Sequence, residues 1–278
     1  MTDSSYKQHD PRFFQDRDRI TRYAAETIIP LVLERVEVRS VIDIGCGVGT
    51  WLAVFRERGI ERIYGVEGTE TDPELLQIPE SCFERFDLSR PFPVRERYDL
   101  AMSLEVGEHL PPESAHGFVA SLVELAPVVL FSAAIPGQGG IHHVNEQWPG
   151  YWVELFQAHD YLVMDPIRPR IWADGNIKAW YRQNILLFAH ADVVAANPRL
   201  QQARQQTRHE QLDLVHPQML QWKLGDHRRW LHEARNPTLG QVARMLPRLV
   251  RQSLASRIGR LLGRGGAGQE HAAGQGGS

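Results

Sequence analysis

The segment "VIDIGCGVGTW", residues 41–51, constrains the fold more than any other part of the sequence. An apolar run contains Asp43, and Gly45, Gly47 and Gly49 then follow at alternate positions before an apolar stretch with helical spacing. Glycine is needed where a backbone turns with positive φ, or where a ligand approaches the chain without meeting a Cβ. The segment therefore predicts a buried strand, a tight glycine turn and a helix, with a ligand close to the turn.

The spacing of these glycines separates two classes of ligand. A dinucleotide-binding turn has the spacing Gly-x-Gly-x-x-Gly and aims a helix N-terminus at a pyrophosphate. Here the spacing is Asp-x-Gly-x-Gly-x-Gly. An acid in the first strand suits S-adenosylmethionine, which carries a sulfonium and an amino acid. The pattern disfavours NAD-linked reduction, and a tight turn without any ligand is the structural alternative.

Apolar runs alternate with amphipathic stretches throughout residues 41–190. The predicted strands are 40–45, 62–68, 82–88, 98–104, 128–134, 161–168 and 182–190, and the predicted helices are 18–36, 50–58 and 113–125. This alternation predicts a doubly wound α/β domain with a mostly parallel sheet and helices on both faces. The last two strands lack a helix-length link, which predicts an antiparallel pair.

The composition divides the chain into segments. Residues 1–195 are predicted to form the ligand-binding domain, 196–263 a helical extension with a break at 215–218, and the glycine-rich 264–278 a disordered tail. The polar N-terminus has no signal peptide pattern, and no apolar run reaches the roughly 18 residues of a spanning helix. With Cys46 and Cys82 as buried thiols in a reducing compartment, a cytoplasmic location is predicted.

Charge is distributed unevenly between the two parts of the chain. Residues 1–190 contain 18 basic and 28 acidic residues, whereas 191–278 contain 13 basic and 6 acidic ones. An acidic core argues against a large nucleic-acid surface. The predicted helix over 241–263 interleaves an apolar stripe with five arginines and no acid, which is typical of peripheral contact with an anionic membrane. Packing of the stripe on the parent domain is the alternative.

Two further acids follow predicted strands. Glu67 ends the second strand, 24 residues after Asp43, where an acid can accept hydrogen bonds from both ribose hydroxyls. Asp87 ends the third strand, where it could accept from an adenine amino group. A solvated charge at the end of a strand is the alternative at both positions.

Together, residues 43–49, Glu67, Asp87 and "YDLAMSLEVGEHLP" (98–111) resemble class I S-adenosylmethionine-dependent methyltransferases. The resemblance extends over residues 18–190. More narrowly, "SLEVGEHLP", "LFSAAIPGQGGIHHVNEQWPGYW" and "WYRQNILLF" are similar to a bacterial group of methyltransferase-domain proteins without a settled substrate. The resemblance implies a Rossmann-like, seven-stranded sheet with a reversed last strand. It also implies that the cofactor lies across the carboxyl ends of the first strands, including Leu104.

The segment "LEVGEHL" places Glu105, Glu108 and His109 just after the fourth strand. Two carboxylates and an imidazole so close together can hold a divalent cation, Mg²⁺ or Zn²⁺. The same Glu-x-x-Glu-His pattern occurs in ubiquinone-pathway O-methyltransferases and in small-RNA 3′-end 2′-O-methyltransferases, and it implies a metal that holds the acceptor hydroxyl. In metal-free relatives such acids serve the cofactor or cap the next helix, so both interpretations stay open.

The segment "GQGGIHHVNEQWPGYW", residues 137–152, follows the fifth strand. Its glycines allow a loop to fold over the methyl donor. His142 or His143 is a candidate general base, because an imidazole titrates near pH 6.5, or a further metal ligand beside His109. The aromatic residues of the segment are predicted to pack in the core, with Asn145 capping the helix that follows.

These patterns predict an S-adenosylmethionine-dependent O-methyltransferase acting on a small molecule or a glycan. Two other functions stay open. One is a metal-dependent RNA 2′-O-methyltransferase, indicated by "EVGEH" but disfavoured by the acidic core. The other is a non-catalytic protein that binds the cofactor and acts through its basic helix.

Overall fold

The computed structural model describes residues 11–68, 71–93, 95–236, 240, 246–247 and 251, with side chains from residue 19 onwards and without that of Glu233. The chain divides into two compact units, of which the first ends at Lys223 and the second begins at Leu224. The first unit thus includes residues 196–223, which the sequence analysis placed in the extension. Most of the predicted helix over 241–263, and all of 264–278, lie outside the described residues.

The first unit is built on one seven-stranded sheet. The strands are β1 Ser40–Ile44, β2 Arg62–Glu67, β3 Phe83–Arg85, β4 Leu100–Leu104, β5 Val128–Ser132, β6 Tyr161–Met164 and β7 Leu186–His190. Their order across the sheet is β3-β2-β1-β4-β5-β7-β6. The first five strands pair in parallel, and β7 is antiparallel to both β5 and β6. The predicted doubly wound sheet with a reversed last strand is confirmed.

Helices cover both faces of this sheet. The helices of the first unit are α1 Pro11–Leu33, α2 Thr50–Glu57, α3 Ala115–Leu125, α4 Pro149–Gln157, α5 Arg168–Ile171, α6 Ala179–Asn184, α7 Ala191–Ala196 and α8 Pro198–Gln206, and α9 Pro217–Arg235 begins in this unit and continues beyond Lys223. All five residues of β1 are buried, and its side chains alternate between two cores. Val41 packs in the core formed with α1 and α2, and Ile42 in the core formed with α3 and α4. No helix among the described residues combines the length and apolar character needed to span a bilayer.

The topology concentrates the candidate residues at one edge of the sheet. From β1 the chain builds outward through β2 on one side, and β4 lies on the other side of β1. In such sheets, ligands bind outside the carboxyl ends of the strands where the order reverses. The glycine turn follows β1, residues 105–109 follow β4, and residues 133–148 follow β5. The three segments singled out in the sequence therefore meet at the same edge.

All seven strands are shorter in the structure than predicted, and the differences are largest for 82–88, 161–168 and 182–190. The predicted strand over 182–190 begins only at Leu186, because residues 179–184 form α6, where Arg182 and Gln183 are buried and hydrogen-bonded to distant segments. The predicted strand over 82–88 is reduced to β3, because Asp87 closes a turn by accepting hydrogen bonds from Ser89. The antiparallel pairing of β6 with β7 is confirmed, although their link contains α5 and α6.

Candidate active site

The glycine turn uses each of its three glycines differently. All three have positive φ, at 87° for Gly45, 57° for Gly47 and 83° for Gly49. A Cβ added to Gly45 would collide with Val106, and one added to Gly49 would lie 2.9 Å from Ile78. A Cβ added to Gly47 would meet nothing within 4 Å. Packing therefore requires Gly45 and Gly49 to lack a side chain, whereas Gly47 borders open space.

Two carboxyl groups lie beside this turn. The backbone amide of Gly47 donates to Glu67 Oε2 at 2.7 Å. Asp43 is buried, and burial together with the charge of Glu67 raises the pKa of Asp43 to about 8. A ligand with a positive charge would favour the ionised form of both acids. Glu67 thus lies at the turn, and its contact with the ribose hydroxyls of the cofactor stays a prediction.

The remaining predicted cofactor residues differ in how they are held. Leu104 is the last residue of β4 and is buried. Asp87 lies two residues beyond β3 and is exposed. Its Oδ1 accepts hydrogen bonds from the amide and the hydroxyl of Ser89, at 3.1 and 2.6 Å. The partners that the structure gives to this oxygen therefore belong to the local turn that Asp87 closes.

After β4, three potential ligand groups converge. Atoms of Glu108, His109 and His143 that could bind a metal all lie within 4.8 Å of one another. The rings of His109 and His143 meet edge to face, with centroids 4.8 Å apart. The cluster adjoins the glycine turn, because Val106 packs against Gly45. Three potential ligand groups from the loops after β4 and β5 therefore lie close together beside the glycine turn.

The buried carboxyl group of Glu108 lies in an environment that a bound cation would stabilise. The side chain is fully buried, and among the described residues neither carboxylate oxygen has a hydrogen-bond partner of good geometry, although the backbone amides of Glu108 and Ala134 are near enough to oppose part of the rise in its pKa. Burial, followed by the charge of Glu105, raises the pKa of Glu108 to about 9. A buried carboxyl without donors is unfavourable, and a bound cation would compensate for it. Glu108, His109 and His143 offer oxygen and nitrogen donors of the kinds that Zn²⁺ accepts.

Glu105 was predicted as a further metal ligand, but its carboxylate has other partners. It accepts hydrogen bonds from Gln138 Nε2 at 2.8 Å and Asn184 Nδ2 at 3.0 Å. Its backbone φ is 58°, and its amide donates to the carbonyl of Ser132 at 2.9 Å. Glu105 still lies close enough for its charge to act on Glu108 and for His143 to act on Glu105, but among the described residues the ligand atoms within 4.8 Å of one another are those of Glu108, His109 and His143, so the role of Glu105 as a metal ligand stays a prediction. Gln138 and Asn184 were not predicted, because only the fold brings them to Glu105.

The loop after β5 distinguishes the two adjacent histidines. His142 is exposed and has a φ of 61°. The backbone carbonyl of Glu108 accepts from the amides of residues 144 and 145, at 2.8 and 3.0 Å, and so fastens the loop beside His109. His143 Nδ1 lies 2.9 Å from Glu146 Oε1. Of the two candidate bases, His143 is the one placed against His109 and Glu108.

The role of Glu146 was also not predicted. Its carboxylate accepts from the amides of Gly137 and Gly139, at 2.7 and 2.6 Å. Burial opposes ionisation of Glu146, but the hydrogen bonds from His143 and the two amides outweigh it, and the pKa is lowered. The only signal in the sequence was its spacing of three residues from His143.

The aromatic residues of this loop have different environments. Trp152 is buried against Phe131, with ring centroids 5.0 Å apart, so the predicted core packing is confirmed for this residue. A Cβ added to Gly107 would lie 2.8 Å from the Trp152 ring. Trp148 instead is exposed. The prediction that Asn145 caps the next helix is wrong, because α4 begins after Trp148 without a side-chain cap, and Asn145 points its amide at the carbonyl of Gly107.

Comparison with known proteins places this architecture in a family. A family model described as a methyltransferase domain matches residues 15–154, which is half of the chain. A search of curated proteins found no match to the sequence. Among solved structures, the chain is similar to DesVI of Streptomyces venezuelae, with 18% identity, a TM-score of 0.49, and coverage of 65% of this chain and 96% of that one.

Two further solved structures are similar. The methyltransferase domain of a bacterial Hen1 protein, CtHen1, matches with 21% identity and a TM-score of 0.46, over 62% of this chain and 98% of that one. Magnesium protoporphyrin IX methyltransferase from Synechocystis PCC 6803, solved with bound S-adenosylmethionine, matches with 19% identity and a TM-score of 0.46, over 67% and 88%. The family match covers the glycine turn, the acids beside it and the converging histidines. The chain therefore belongs to the methyltransferase-domain family and is a class I S-adenosylmethionine-dependent methyltransferase.

Proposed function

We propose that this methyltransferase transfers the methyl group to a hydroxyl of a small molecule or a glycan. The observation that carries the proposal is the convergence of Glu108, His109 and His143 beside the glycine turn. An oxygen nucleophile must lose its proton as it attacks, and this cluster supplies the groups for that task. The surplus of acidic residues over 1–190 disfavours an RNA acceptor.

The chemistry is a single displacement. The acceptor oxygen attacks the methyl carbon, the bond between that carbon and the sulfonium sulfur breaks, and the hydroxyl proton leaves. The residues around the glycine turn, Asp43, Gly47 and Glu67, hold the donor, and alignment with the acceptor lowers the barrier. His143, whose Nδ1 is held by Glu146, accepts the proton at Nε2.

The same cluster supports a second role for His143. Glu108, His109 and His143 would together hold a divalent cation, Mg²⁺ or Zn²⁺. A cation bound there would hold the acceptor oxygen and lower the pKa of its hydroxyl. The buried oxygens of Glu108 favour this arrangement, because among the described residues no donor meets them in good hydrogen-bond geometry.

Transfer of label tests the hydroxyl acceptor. Methyl-labelled S-adenosylmethionine is incubated with the protein and with extracted metabolites and glycans, and labelled products are identified by chromatography and mass spectrometry. His143→Ala should reduce label transfer by roughly 100-fold or more. His142→Ala is the matched control, since that neighbouring side chain is exposed. Methyl esters or methylated amines as the sole products, or full transfer by His143→Ala, would contradict the proposal.

Metal removal tests the cation. One Mg²⁺ or Zn²⁺ per chain should bind in calorimetric titration, Glu108→Gln should abolish that binding, and Glu113→Gln, at an exposed position nearby, should retain it. Transfer should stop on chelation and resume when the cation is restored. Full activity after exhaustive chelation, with no metal by elemental analysis, would leave His143 acting as a base without a metal.

A further inference from the structure

Glu146 lies near the C-terminal end of the loop that joins β5 to α4, and its carboxylate contacts residues 137, 139 and 143 of the same loop. Its Oε1 lies 2.9 Å from His143 Nδ1 and 2.6 Å from the amide nitrogen of Gly139. Its Oε2 accepts from the amide of Gly137 at 2.7 Å. One carboxylate therefore has three donors, from both halves of the loop. Neither family membership nor the converging ligand groups require such an arrangement.

The contact with His143 influences which ring nitrogen carries the hydrogen. A neutral imidazole has one nitrogen that donates and one that accepts, and an ionised carboxylate only accepts. In a neutral ring, this contact favours a hydrogen on Nδ1 of His143 and leaves the lone pair on Nε2. The ring also needs the space that Gly140 leaves, because a Cβ at that position would collide with Nε2. The packing against Gly140 restricts the ring orientation, and the contact with Glu146 favours one tautomer.

The contact with the two glycine amides connects His143 to the other side of the site. Gly137 and Gly139 have positive φ, at 82° and 72°. Gln138, which lies between them, donates to Glu105 Oε2 at 2.8 Å and accepts from Asn184 Nδ2 at 2.9 Å. Glu146 therefore restrains the turn from which Gln138 reaches Glu105.

We propose that Glu146 is a positioning residue that holds His143 in the Nδ1–H tautomer and keeps the Nε2 lone pair available to an acceptor proton or a cation. Carboxylates that hydrogen-bond the second ring nitrogen of a functional histidine orient the ring in this way in other sites. The same carboxylate restrains the turn that carries Gln138. The use made of the Nε2 lone pair rests on the proposed function, whereas the tautomer itself does not.

Nuclear magnetic resonance of the apoprotein tests the tautomer directly. The protein is labelled with ¹⁵N-histidine, and long-range ¹H–¹⁵N correlations are recorded near pH 8.5, where an unperturbed imidazole with a pKa of about 6.5 is neutral. His143 should show a protonated Nδ1 and an unprotonated Nε2. In Glu146→Gln the Nε2–H form should become at least half of the His143 population, because the amide group of glutamine also donates. Glu146→Asp, which keeps a carboxylate, should restore part of the Nδ1–H form.

Glu154→Gln, at an exposed position in α4, is the matched control and should leave the His143 signals unchanged. An Nε2–H tautomer in the wild-type protein would overturn the proposal even if Glu146→Gln did not fold. An unchanged tautomer in a folded Glu146→Gln would also overturn it. The spectra require neither an acceptor nor methyl transfer, so a failure of the O-methylation proposal would leave this result intact.

Discussion

Gly47 is the residue at which a ligand requirement can be separated from a packing requirement. Gly47→Val should abolish S-adenosylmethionine binding, because the side chain would enter the open space beside the turn. The backbone φ of 57° would cost the variant about 1–2 kcal/mol of stability, so the protein should remain folded. Isothermal titration measures the binding, and circular dichroism measures the fold.

Gly59→Val is the matched control for this variant. Gly59 also has a positive φ, 87°, and open space around its added Cβ, so the variant carries a comparable backbone strain away from the site. It should bind the cofactor normally. Gly45→Val should instead lower the melting temperature sharply, because Val106 fills the space. Unchanged affinity in a folded Gly47→Val protein would remove the glycine turn from the cofactor site.

The Asp43 carboxyl is expected to lower the stability of the folded protein near neutral pH and to strengthen cofactor binding. In the unfolded chain an aspartate ionises above about pH 4, whereas in the folded protein Asp43 keeps its proton until about pH 8. The folded state therefore binds more protons over this range, and the contribution of Asp43 to stability decreases as pH rises from about 4 to 8. Asp43→Asn should be more stable than the wild type by about 1–2 kcal/mol near pH 7 and should bind cofactor more weakly.

Urea unfolding at pH 5, 7 and 9 measures this effect. The stability difference between Asp43→Asn and wild type should grow from pH 5 to pH 8 and then become constant. Parallel pH profiles for the two proteins would show that the Asp43 carboxyl does not titrate in this range. Asp99→Asn provides a comparison at a partly exposed aspartate whose carboxylate accepts from Ser40 and Arg39.

The residues that could be predicted from sequence are those whose role depends on local spacing. Gly45, Gly47 and Gly49 are recognisable because a strand, a turn and a helix follow one another without interruption. Glu146, Gln138 and Asn184 were missed, because a hydrogen bond between residues 105 and 184 has no counterpart in local spacing. The pairing of Glu108 with His143 likewise depends on the backbone bonds that join their loops.

At the scale of elements, α6 shows how distant contacts override local pattern. Residues 182–185 precede an apolar strand, and the pattern alone extends that strand backwards. In the fold, Gln183 Nε2 donates to the carbonyl of Leu214 at 2.7 Å, and Arg182 Nη1 donates to that of Trp172 at 3.1 Å. These buried contacts hold the segment as a helix, which a local pattern cannot predict. The strands β1, β4 and β5, in which every residue is buried, were recognised because a continuous apolar run can be identified without knowing its partner strands.

Arg168 holds several elements together through one buried side chain. Its Nε and Nη2 donate to Asp165, at 3.0 and 2.8 Å, and its Nη1 donates to the carbonyls of Gln183 and Leu212, both at 2.9 Å. Arg168→Met should destabilise the protein by about 3–5 kcal/mol, because it leaves a partly buried carboxylate and two carbonyls without donors. Urea unfolding measures the loss.

Arg170→Met is the matched control two residues away. Arg170 is exposed and pairs with Glu34, so its replacement should cost less than about 1 kcal/mol. Equal losses for the two variants would show that Arg168 does not hold α5, α6 and the segment before α9 together. A smaller loss of unfolding free energy for Arg168→Met than for Arg170→Met would contradict the stabilising role of the Arg168 hydrogen bonds.

At the scale of the whole molecule, the unequal charge of the two parts predicts a separate surface role for the C-terminal region. Residues 238–278 contain six arginines and one acid, in contrast to the acidic residues 1–190. A basic amphipathic segment binds anionic membranes, with about 1 kcal/mol for each basic residue near the surface. The fold class was predictable from the alternating pattern, but the role of this segment depends on a partner that no pattern names.

We expect truncation after Pro237 to leave S-adenosylmethionine binding intact, because the sheet, the glycine turn and the histidine cluster all lie before Lys223. The truncated protein should sediment at least about 10-fold less with vesicles of phosphatidylserine and phosphatidylcholine, because six cationic side chains are lost. Binding of the full chain should weaken as salt rises and should be absent with phosphatidylcholine alone. Substitution of Arg248 and Arg251 by glutamine in the full chain should give an intermediate loss. Equal sedimentation with and without residues 238–278, or a truncated protein that no longer binds cofactor, would show that this segment serves the fold rather than a membrane surface.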